Sequence, residues 1–280
     1  MASAAGDRRD GRPDEGGTDM SKSSDQTVVI TGATRGIGRA TALAYARRGA
    51  RVAICGRSTQ AKPNKHMPGT LEEAEAALRA AGAADVLAVP ANLADEADVE
   101  RFAEAIQARF GGCDVLVNNA AVSFVGGFLE TPASRWRAVL NVNIMAAVTL
   151  THRFLPGMLE RGSGVLLTIG SSSAHDDGVL QLPYSVTKLG LERIATGLAY
   201  QYGGRGIASN CLLIDEVVLT EAVRLQAPQL VDRAKWTAED AGEAIVWITD
   251  QGVKLSGRVL GFEELQALGG LKSLRAAAPA

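Results

Sequence analysis

A phenol and an ammonium lie four residues apart at Tyr184 and Lys188, in a segment whose leucines and isoleucine recur at helical spacing. Side chains at positions i and i+4 of a helix lie on the same face, so the two groups point the same way. At about 6 Å, with an effective dielectric near 20, one positive charge stabilises the phenolate by roughly 3 kcal/mol. A tyrosine in that position can exchange a proton near neutral pH. An exposed Tyr and Lys on an amphipathic helix give the same residues, and the other motifs favour the chemical interpretation.

A glycine-rich turn near the start of the chain has the chemistry of a phosphate site. Gly32, Gly36 and Gly38 follow a short β-branched run at 27–31 and precede a helical pattern that ends at Gly49. Glycines in this position let the backbone approach a pyrophosphate, whose charge then lies at the helix N-terminus. A tight turn without a ligand would also use glycines. The position between a buried strand and a helix favours a dinucleotide site.

The end of the second predicted strand, residues 51–55, is where such a site recognises the adenosine ribose. A carboxylate there binds the ribose 2′-hydroxyl and repels a 2′-phosphate, but this sequence has Gly56 and Arg57 instead. Arg35 in the glycine turn supplies a second cation, and two guanidiniums suit a phosphate dianion. The sequence therefore predicts NADP(H) in preference to NAD(H); the alternative is that both arginines are merely solvated.

The composition of the chain limits its class. The 280 residues carry a net charge of −2, and 46% are hydrophobic but only 5% aromatic, which predicts a large aliphatic core. We find no long basic run and no apolar run of membrane-spanning length, so we expect neither a nucleic-acid nor a membrane partner. The three cysteines lie in or beside apolar runs, and no metal-ligand spacing links them to the three histidines. We therefore expect buried reduced thiols, no metal and a cytoplasmic protein.

The elements that must position these groups alternate along the chain. Residues 1–24 are rich in Gly, Asp, Arg and Ser, which predicts a disordered tail, with Met20 as an alternative start. Residues 25–272 are predicted to form one domain and 273–280 a second tail. We predict strands at 27–31, 51–55, 85–89, 113–117, 164–169 and 207–214, and helices up to residue 49 and at 70–81, 95–110, 136–158 (broken by Pro156), 184–203 and 237–250. The last of these helices is predicted to be capped by Thr237, with Asp240 three residues on. This alternation is typical of a three-layer α/β fold, a doubly wound Rossmann fold with a mostly parallel sheet.

Several motifs in a fixed order resemble those of the short-chain dehydrogenase/reductase family, between residue 27 and about residue 271. They are the glycine turn, Asn118-Asn-Ala, and then Asn143, Ser171, Tyr184 and Lys188 at intervals of 28, 13 and 4 residues. Serines occupy all three positions from 171 to 173, and the family spacing selects Ser171.

The resemblance implies a role for each of the four residues. Tyr184 would give or take the proton on the substrate oxygen, while Lys188 assists it and binds the nicotinamide ribose. Ser171 would orient the carbonyl, and Asn143 would hold a water that relays protons to Lys188. For Asn143 the alternative is a buried amide that merely kinks its helix.

The resemblance also implies cofactor contacts and an oligomer. Asn92 stands where many members have Asp, and either side chain can accept a hydrogen bond from the adenine amino group. Members commonly form homodimers or homotetramers through the two long helices that carry Asn143 and Lys188. The cofactor contacts are Gly32, Thr34, Arg35, Gly36, Ile37, Gly38, Arg57, Asn92, Leu93, Asn119, Ala120, Tyr184, Lys188, Val217 and Thr220.

The sequence departs from the common pattern after the sixth strand. Ile214-Asp215-Glu216 replaces the usual Pro-Gly, and Thr220 lies one residue late. This change motivates a second hypothesis, epimerisation or dehydration through transient oxidation, and a third hypothesis is a non-catalytic NADP-binding protein. The long loop at 58–69 and the C-terminal segment resemble the hydroxysteroid dehydrogenase-like branch.

The leading prediction is an NADP(H)-dependent oxidoreductase that interconverts a carbonyl and an alcohol. The loops after the fourth, fifth and sixth strands form the pocket of such a fold, and their mostly apolar residues predict a hydrophobic small-molecule substrate. The candidate substrate contacts are Phe124, His175, Leu180 and Val218. His175, Asp176 and Asp177 are the polar exception: facing inward they would bind an amine or a polyol, or add a second acid/base, and otherwise they form a solvated turn.

Overall fold

The computed structural model of the protein describes residues 25–178 and 180–271. The two predicted tails, residues 1–24 and 273–280, lie outside the described residues. The strands are β1 (Thr27–Thr31), β2 (Arg51–Gly56), β3 (Asp85–Pro90), β4 (Val115–Asn118), β5 (Gly164–Ile169), β6 (Ile207–Leu212), β7 (Val218–Leu219), β8 (Trp236–Thr237) and β9 (Val259–Leu260). The helices are α1 (Gly36–Arg47), α2 (Leu71–Ala80), α3 (Glu96–Phe110), α4 (Ala133–Leu140), α5 (Ala146–Arg161), α6 (Leu182–Tyr202), α7 (Glu221–Gln226), α8 (Ala238–Asp250) and α9 (Phe262–Ala267).

Seven strands form one sheet in the order β3-β2-β1-β4-β5-β6-β9, and β7 and β8 form a separate short pair. Every strand pairing in the described part of the chain is parallel. The strand order reverses between β1 and β4, so the loops that follow these two strands run to opposite faces of the sheet and leave a crevice at the carboxyl ends. The predicted three-layer doubly wound fold is confirmed.

The sheet divides the hydrophobic core into two layers. Helices α1, α2, α8 and α9 pack on one face around Tyr45, Ile245 and Phe262, and α3 and α5 pack on the other around Phe102 and Leu150. Leucine, valine, isoleucine and alanine supply most of both layers, as the low aromatic content predicted. The Tyr45 phenol, buried in this core, forms a hydrogen bond with the Thr249 hydroxyl, and burial raises its pKa.

Two helices begin at a reciprocal capping box. The Thr70 hydroxyl accepts from the Glu73 backbone N–H, and the Glu73 carboxylate accepts from that of Thr70. Thr237 and Asp240 make the same exchange at the start of α8, as the sequence predicted. Each box satisfies backbone N–H groups that the first helical turn leaves without partners.

The predicted helix at 136–158 differs from the structure in its bounds. A helical run begins at Ala133, widens into a π-helical turn at Asn141–Met145 and continues as α5 to Arg161. The predicted break at Pro156 is therefore wrong. Pro156 lies on the exposed side of α5, and Phe154, Leu155 and Met158 hold the helix by packing on the buried side.

The same helical run, Ala133–Arg161, is long and apolar enough by composition to cross a membrane. Half of its most apolar stretch is buried within the protein. A core helix meets this criterion equally well, and α5 packs against α3 and β5. The apolar side chains of α5 are thus explained by the sheet that they cover.

The three cysteines are free and buried, as predicted. Burial raises the pKa of the Cys55 thiol to about 12 and that of Cys211 to about 11. Burial also raises the pKa of Cys113 well above its usual value. All three therefore stay protonated at neutral pH and serve as small core side chains.

Candidate active site

Tyr184 and Lys188 lie one turn apart on α6, as their spacing predicted. The Lys188 Nζ atom is 5.3 Å from the centroid of the Tyr184 ring. Lys188 is 2% exposed, and its ammonium donates a hydrogen bond of 2.6 Å to the Ile169 carbonyl at the end of β5. Within residues 25–178 and 180–271, no carboxylate lies at ion-pair distance from this ammonium. The ammonium is therefore held in place by the Ile169 carbonyl, and no described carboxylate neutralises its charge near the phenol.

Asn143 lies in the π-helical turn and is 2% exposed. Its side-chain oxygen accepts from the Val122 N–H at 2.9 Å, and its Nδ2 donates to the Val122 carbonyl and to Thr187 Oγ1 at 3.1 and 3.0 Å. Thr187 in turn donates to the Tyr184 carbonyl. The amide thus joins the loop after β4 to the helix of the tyrosine. Both the water relay implied for Asn143 and the alternative of a buried amide that merely kinks its helix stay predictions.

Ser171 follows β5 after the single residue Gly170 and precedes a short 3₁₀ turn at Ser172–Ala174. Its Oγ lies 2.9 Å from Ser173 Oγ and accepts a hydrogen bond from the Ser173 N–H. Ser172 is exposed, and its N–H donates to the Ile214 carbonyl. Ser173 was not selected by spacing, yet it is the side-chain partner of the selected serine.

The glycine turn at the end of β1 packs closely against the end of β4. Gly32 has φ 68°, and a Cβ there would lie 2.9 Å from the Ala120 Cα atom. A Cβ on Gly38 would lie 2.4 Å from Asn119 Nδ2, so only glycine fits at either position. Asn119 donates from Nδ2 to the carbonyls of Thr31 and Gly32. The crevice between β1 and β4 is thereby fixed.

The N-terminus of α1 binds an anion of the protein itself. The Gly36 N–H donates a 3.0 Å hydrogen bond to Glu221 Oε2, across 185 residues of sequence. Burial lowers the pKa of the neighbouring Arg35, the Glu221 carboxylate raises it, and the Arg57 guanidinium lowers it. Arg35 and Arg57 are therefore close enough to repel one another, as two cations on one phosphate site would be.

The residues of this crevice fit a dinucleotide. A carboxylate already binds where a pyrophosphate would lie at the start of α1. In the described part of the chain, the Asn118 Oδ1 atom at the end of β4 is buried without a hydrogen-bond partner. A polar ligand in the crevice would satisfy that atom and replace Glu221.

The protein-family model described as short chain dehydrogenase matches residues 26–229. The chain belongs to this family. The match and the geometry agree, because the residues that bear the family motifs converge on the crevice between β1, β4 and β5.

Individual members of the short-chain dehydrogenase family are similar over most of the chain. L-rhamnose 1-dehydrogenase (NAD(P)(+)) of Azotobacter vinelandii is 36% identical over 68% of this chain and 72% of its own. Hydroxysteroid dehydrogenase-like protein 2 of Danio rerio is 28% identical over 88% of this chain, which spans only 59% of that relative. A solved structure described as an NAD(P)-dependent gluconate 5-dehydrogenase of Beutenbergia cavernae, with bound NADP at low occupancy, is 32% identical with a TM-score of 0.70, over 87% of this chain and 97% of its own.

The remaining predicted cofactor residues differ in burial and in the elements that carry them. Asn92 is exposed at the end of β3, whereas Leu93 is buried in the core. The Thr220 hydroxyl caps α7 by accepting from the Val223 N–H at 3.3 Å. Three further predicted residues, Thr34, Ile37 and Val217, lie in the glycine turn, at the start of α1 and just before β7. Contacts of these residues with a cofactor stay predictions.

The predicted substrate residues do not share one environment. Phe124 lies beneath the Arg135 guanidinium, 5.1 Å from ring centroid to Cζ, and Leu180 is 62% exposed. Val218 is buried in the core, so it does not line the pocket. The His175 ring binds Glu192 through Nε2 at 3.0 and 3.1 Å, a contact the sequence did not reveal.

Structural contacts account for the segment that departs from the family pattern. Asp215 Oδ1 accepts from the Phe262 N–H at 3.1 Å at the start of α9, and Glu216 pairs with Lys235 at 2.6 Å. Ile214 accepts from the Ser172 N–H and packs against the core. The two carboxylates therefore anchor α9 and the loop before β8.

Proposed function

We propose that this short-chain dehydrogenase is an NADP(H)-dependent oxidoreductase that interconverts a carbonyl and an alcohol on a hydrophobic small molecule, with Tyr184 as general acid/base. One observation carries the proposal: the buried Lys188 ammonium, unpaired with any described carboxylate, lies 5.3 Å from the Tyr184 ring. An ammonium held beside the ring can stabilise the charge that develops on the phenol oxygen while the proton is transferred to the substrate.

The bound nicotinamide would supply or accept the hydride at the carbonyl carbon. In the reduction, the Tyr184 hydroxyl donates its proton to the carbonyl oxygen, and the Lys188 ammonium stabilises the phenolate that remains. Ser171 Oγ donates a hydrogen bond to the same oxygen and holds it against the phenol. The Ile169 carbonyl fixes Lys188 at the end of β5, so the ammonium cannot swing away from the ring.

Two arginines support NADP(H) as the preferred cofactor. Arg35 and Arg57 lie within electrostatic reach of each other at the ends of β1 and β2, where a ribose 2′-phosphate would lie. A phosphate dianion there relieves the repulsion between the two guanidiniums. Among the described residues at the end of β2 there is no carboxylate, which is the group that would bind the ribose 2′-hydroxyl of NAD(H).

Exposed apolar side chains support a hydrophobic substrate. Val125, Phe128 and Leu180 are each more than 60% exposed and lie in the loops after β4 and β5. The Gly126 N–H donates to the Leu180 carbonyl at 2.8 Å and joins the two loops. An apolar rim of this kind would bind the hydrocarbon part of a ketone.

The residues that suggested epimerisation or dehydration have structural roles instead. Asp215 and Glu216 were the residues that suggested epimerisation or dehydration, and both are engaged in structural contacts. A non-catalytic NADP-binding role does not explain why Ser171, Tyr184 and Lys188 are all present.

A substrate screen tests the proposed function. The purified chain is offered NADPH, and NADH in parallel, with acetophenone, cyclohexanone and 9,10-phenanthrenequinone, and loss of reduced nicotinamide is followed by absorbance. We expect faster oxidation of NADPH with at least one ketone. Label from deuterated NADPH should appear in the alcohol product; an enzyme that returns the label to its cofactor is an isomerase, and that result would contradict the proposal.

Glu221→Gln is expected to tighten NADPH binding about fivefold, or about 1 kcal/mol for a charge at a helix N-terminus. The Glu221 carboxylate competes for the Gly36 N–H that a pyrophosphate needs, and the amide is a weaker competitor. Tryptophan fluorescence quenching by NADPH measures the affinity. Glu239→Gln, an exposed first-turn carboxylate of α8, is the matched control and should bind as the unmodified chain does. Unchanged or weaker binding by Glu221→Gln would show that no displacement is needed.

The proposed enzyme is a homodimer. The exposed apolar side chains Leu140, Met145, Val186 and Leu189 form a patch on the packed helices α4 to α6, each 36–50% exposed. Leu189→Asp places a charge in the patch and is expected to give a monomer by size-exclusion chromatography with light scattering. Leu268→Asp, an exposed leucine outside the patch, should leave the dimer intact. A monomeric unmodified chain would refute this arrangement.

A further inference from the structure

Glu192 is a buried carboxylate in an unusual position. It lies on α6 one turn beyond Lys188 and two turns beyond Tyr184, and it is only 8% exposed. A buried carboxylate is costly unless hydrogen bonds satisfy it. Among the residues that the structure describes, the only side chain bonded to it is His175, whose Nε2 lies 3.1 Å from Oε1 and 3.0 Å from Oε2.

His175 connects this carboxylate to the turn that begins at Ser171. The His175 N–H donates to the Ser172 carbonyl and the Ala174 N–H to the Ser171 carbonyl, each at 2.9 Å, so His175 closes the turn. Its ring is about half exposed and extends from the turn to α6. One side chain thus joins the segment of the serine to the helix of the tyrosine.

Glu192 also packs against Gly170, the residue before the turn. A Cβ added to Gly170 would lie 3.5 Å from Glu192 Oε1 and 2.8 Å from Cys211 Sγ. The carboxylate therefore packs against the residue that precedes Ser171, while its hydrogen bonds hold the residue that follows the turn. Apart from the main-chain bonds within the turn, its other described hydrogen bonds are those between Ser171 and Ser173 and one main-chain bond to Ile214.

We infer that Glu192 and His175 act as a positioning pair that sets the Ser171 hydroxyl relative to the Tyr184 phenol. The inference rests on the proposed function, because it assigns the pair to the carbonyl-binding serine of that reaction. Neither residue touches the reacting atoms. Their effect is geometric, and a displacement of about 1 Å at a reacting group can lower a rate on the order of 100-fold.

The test breaks the pair at its more exposed member, and thermal melting measures the cost of leaving the Glu192 carboxylate without that partner. His175→Leu, at an exposed position, is expected to lower kcat for reduction of 9,10-phenanthrenequinone by about 10- to 100-fold, with NADPH affinity within about twofold. A larger primary isotope effect with deuterated NADPH should accompany the loss, since hydride transfer becomes slower. His175→Gln, whose carboxamide can donate to Glu192, should recover most of the rate. His152→Leu, an exposed histidine on α5, is the matched control and should keep full activity.

A double variant shows whether the pair acts through Ser171. If it does, His175→Leu causes no further loss in a Ser171→Ala background. Losses that multiply, or a His175→Leu chain with full activity, would overturn the inference. Thermal melting of each variant identifies a general loss of folding. Glu192→Met, which keeps the side-chain volume and removes both oxygens that bind His175, must then reproduce the kinetic pattern for the inference to stand. Tyr184→Phe distinguishes failure of the proposed function from failure of the positioning pair. Full activity of Tyr184→Phe refutes the proposed function itself. An inactive Tyr184→Phe together with a fully active His175→Leu refutes the positioning pair alone.

Discussion

Tyr184→Phe is expected to lower kcat for carbonyl reduction by about 1,000-fold or more, which is the upper range for loss of a general acid. The variant keeps the ring above Lys188 and removes only the hydroxyl, so the cation–π contact at 5.3 Å remains. In the described part of the chain the phenol oxygen has no hydrogen-bond partner, so no buried group is left unsatisfied. Steady-state kinetics with the most reactive ketone of the screen measures the loss.

The controls separate chemistry from binding and folding. NADPH affinity and the melting temperature of Tyr184→Phe should match those of the unmodified chain. Tyr200→Phe removes a hydroxyl from a tyrosine on the same helix that is 92% exposed, and it should leave the rate unchanged. A Tyr184→Phe enzyme with more than about a tenth of the original rate would show that another group supplies the proton.

Replacing both Arg35 and Arg57 with Ala is expected to reduce the preference for NADPH over NADH by about 100-fold or more. A hydrogen bond to a charged group contributes about 1.5–3 kcal/mol, and two such bonds to a 2′-phosphate would be lost. The change should appear mainly as weaker NADPH binding, because NADH lacks the phosphate. The ratio of kcat/KM for the two cofactors measures it, and each single variant should give an intermediate value.

Arg47→Ala is the matched control for this prediction. It removes the same charge from the exposed C-terminal end of α1, far along the helix from the glycine turn. A similar loss of preference in Arg47→Ala would indicate a general effect of net charge. Preference for NADH by the unmodified chain would show that the two arginines do not bind the 2′-phosphate.

The parts that the sequence predicted correctly are those with local causes. The capping residues Thr237 and Asp240 are three positions apart, and the face shared by Tyr184 and Lys188 follows from one helical turn. The glycine turn was likewise predicted from the strand pattern before it and the helical pattern after it. These features need no knowledge of tertiary contacts, and each lies where the pattern placed it.

The contacts that escaped prediction join residues far apart in sequence or depend on the solvent. The Glu221 carboxylate accepts a hydrogen bond from the Gly36 N–H across 185 residues, and no pattern in either segment predicts this contact. The edge strand β9 has two residues, which is too short for a period to show. A break at Pro156 was expected because the sequence does not show on which side of the helix this residue lies. Val218 was assigned to the pocket because a loop was expected where a short buried strand forms.

The protonated core thiols have a practical consequence for stability measurements. Cys55 lies at the end of β2 and Cys211 in β6, so no thiol reagent can reach both until the sheet itself separates. The rate of maleimide labelling, measured by mass spectrometry, therefore reports the rate at which the fold opens globally. Added cofactor should lower this labelling rate, which would report cofactor binding even where no substrate has been found.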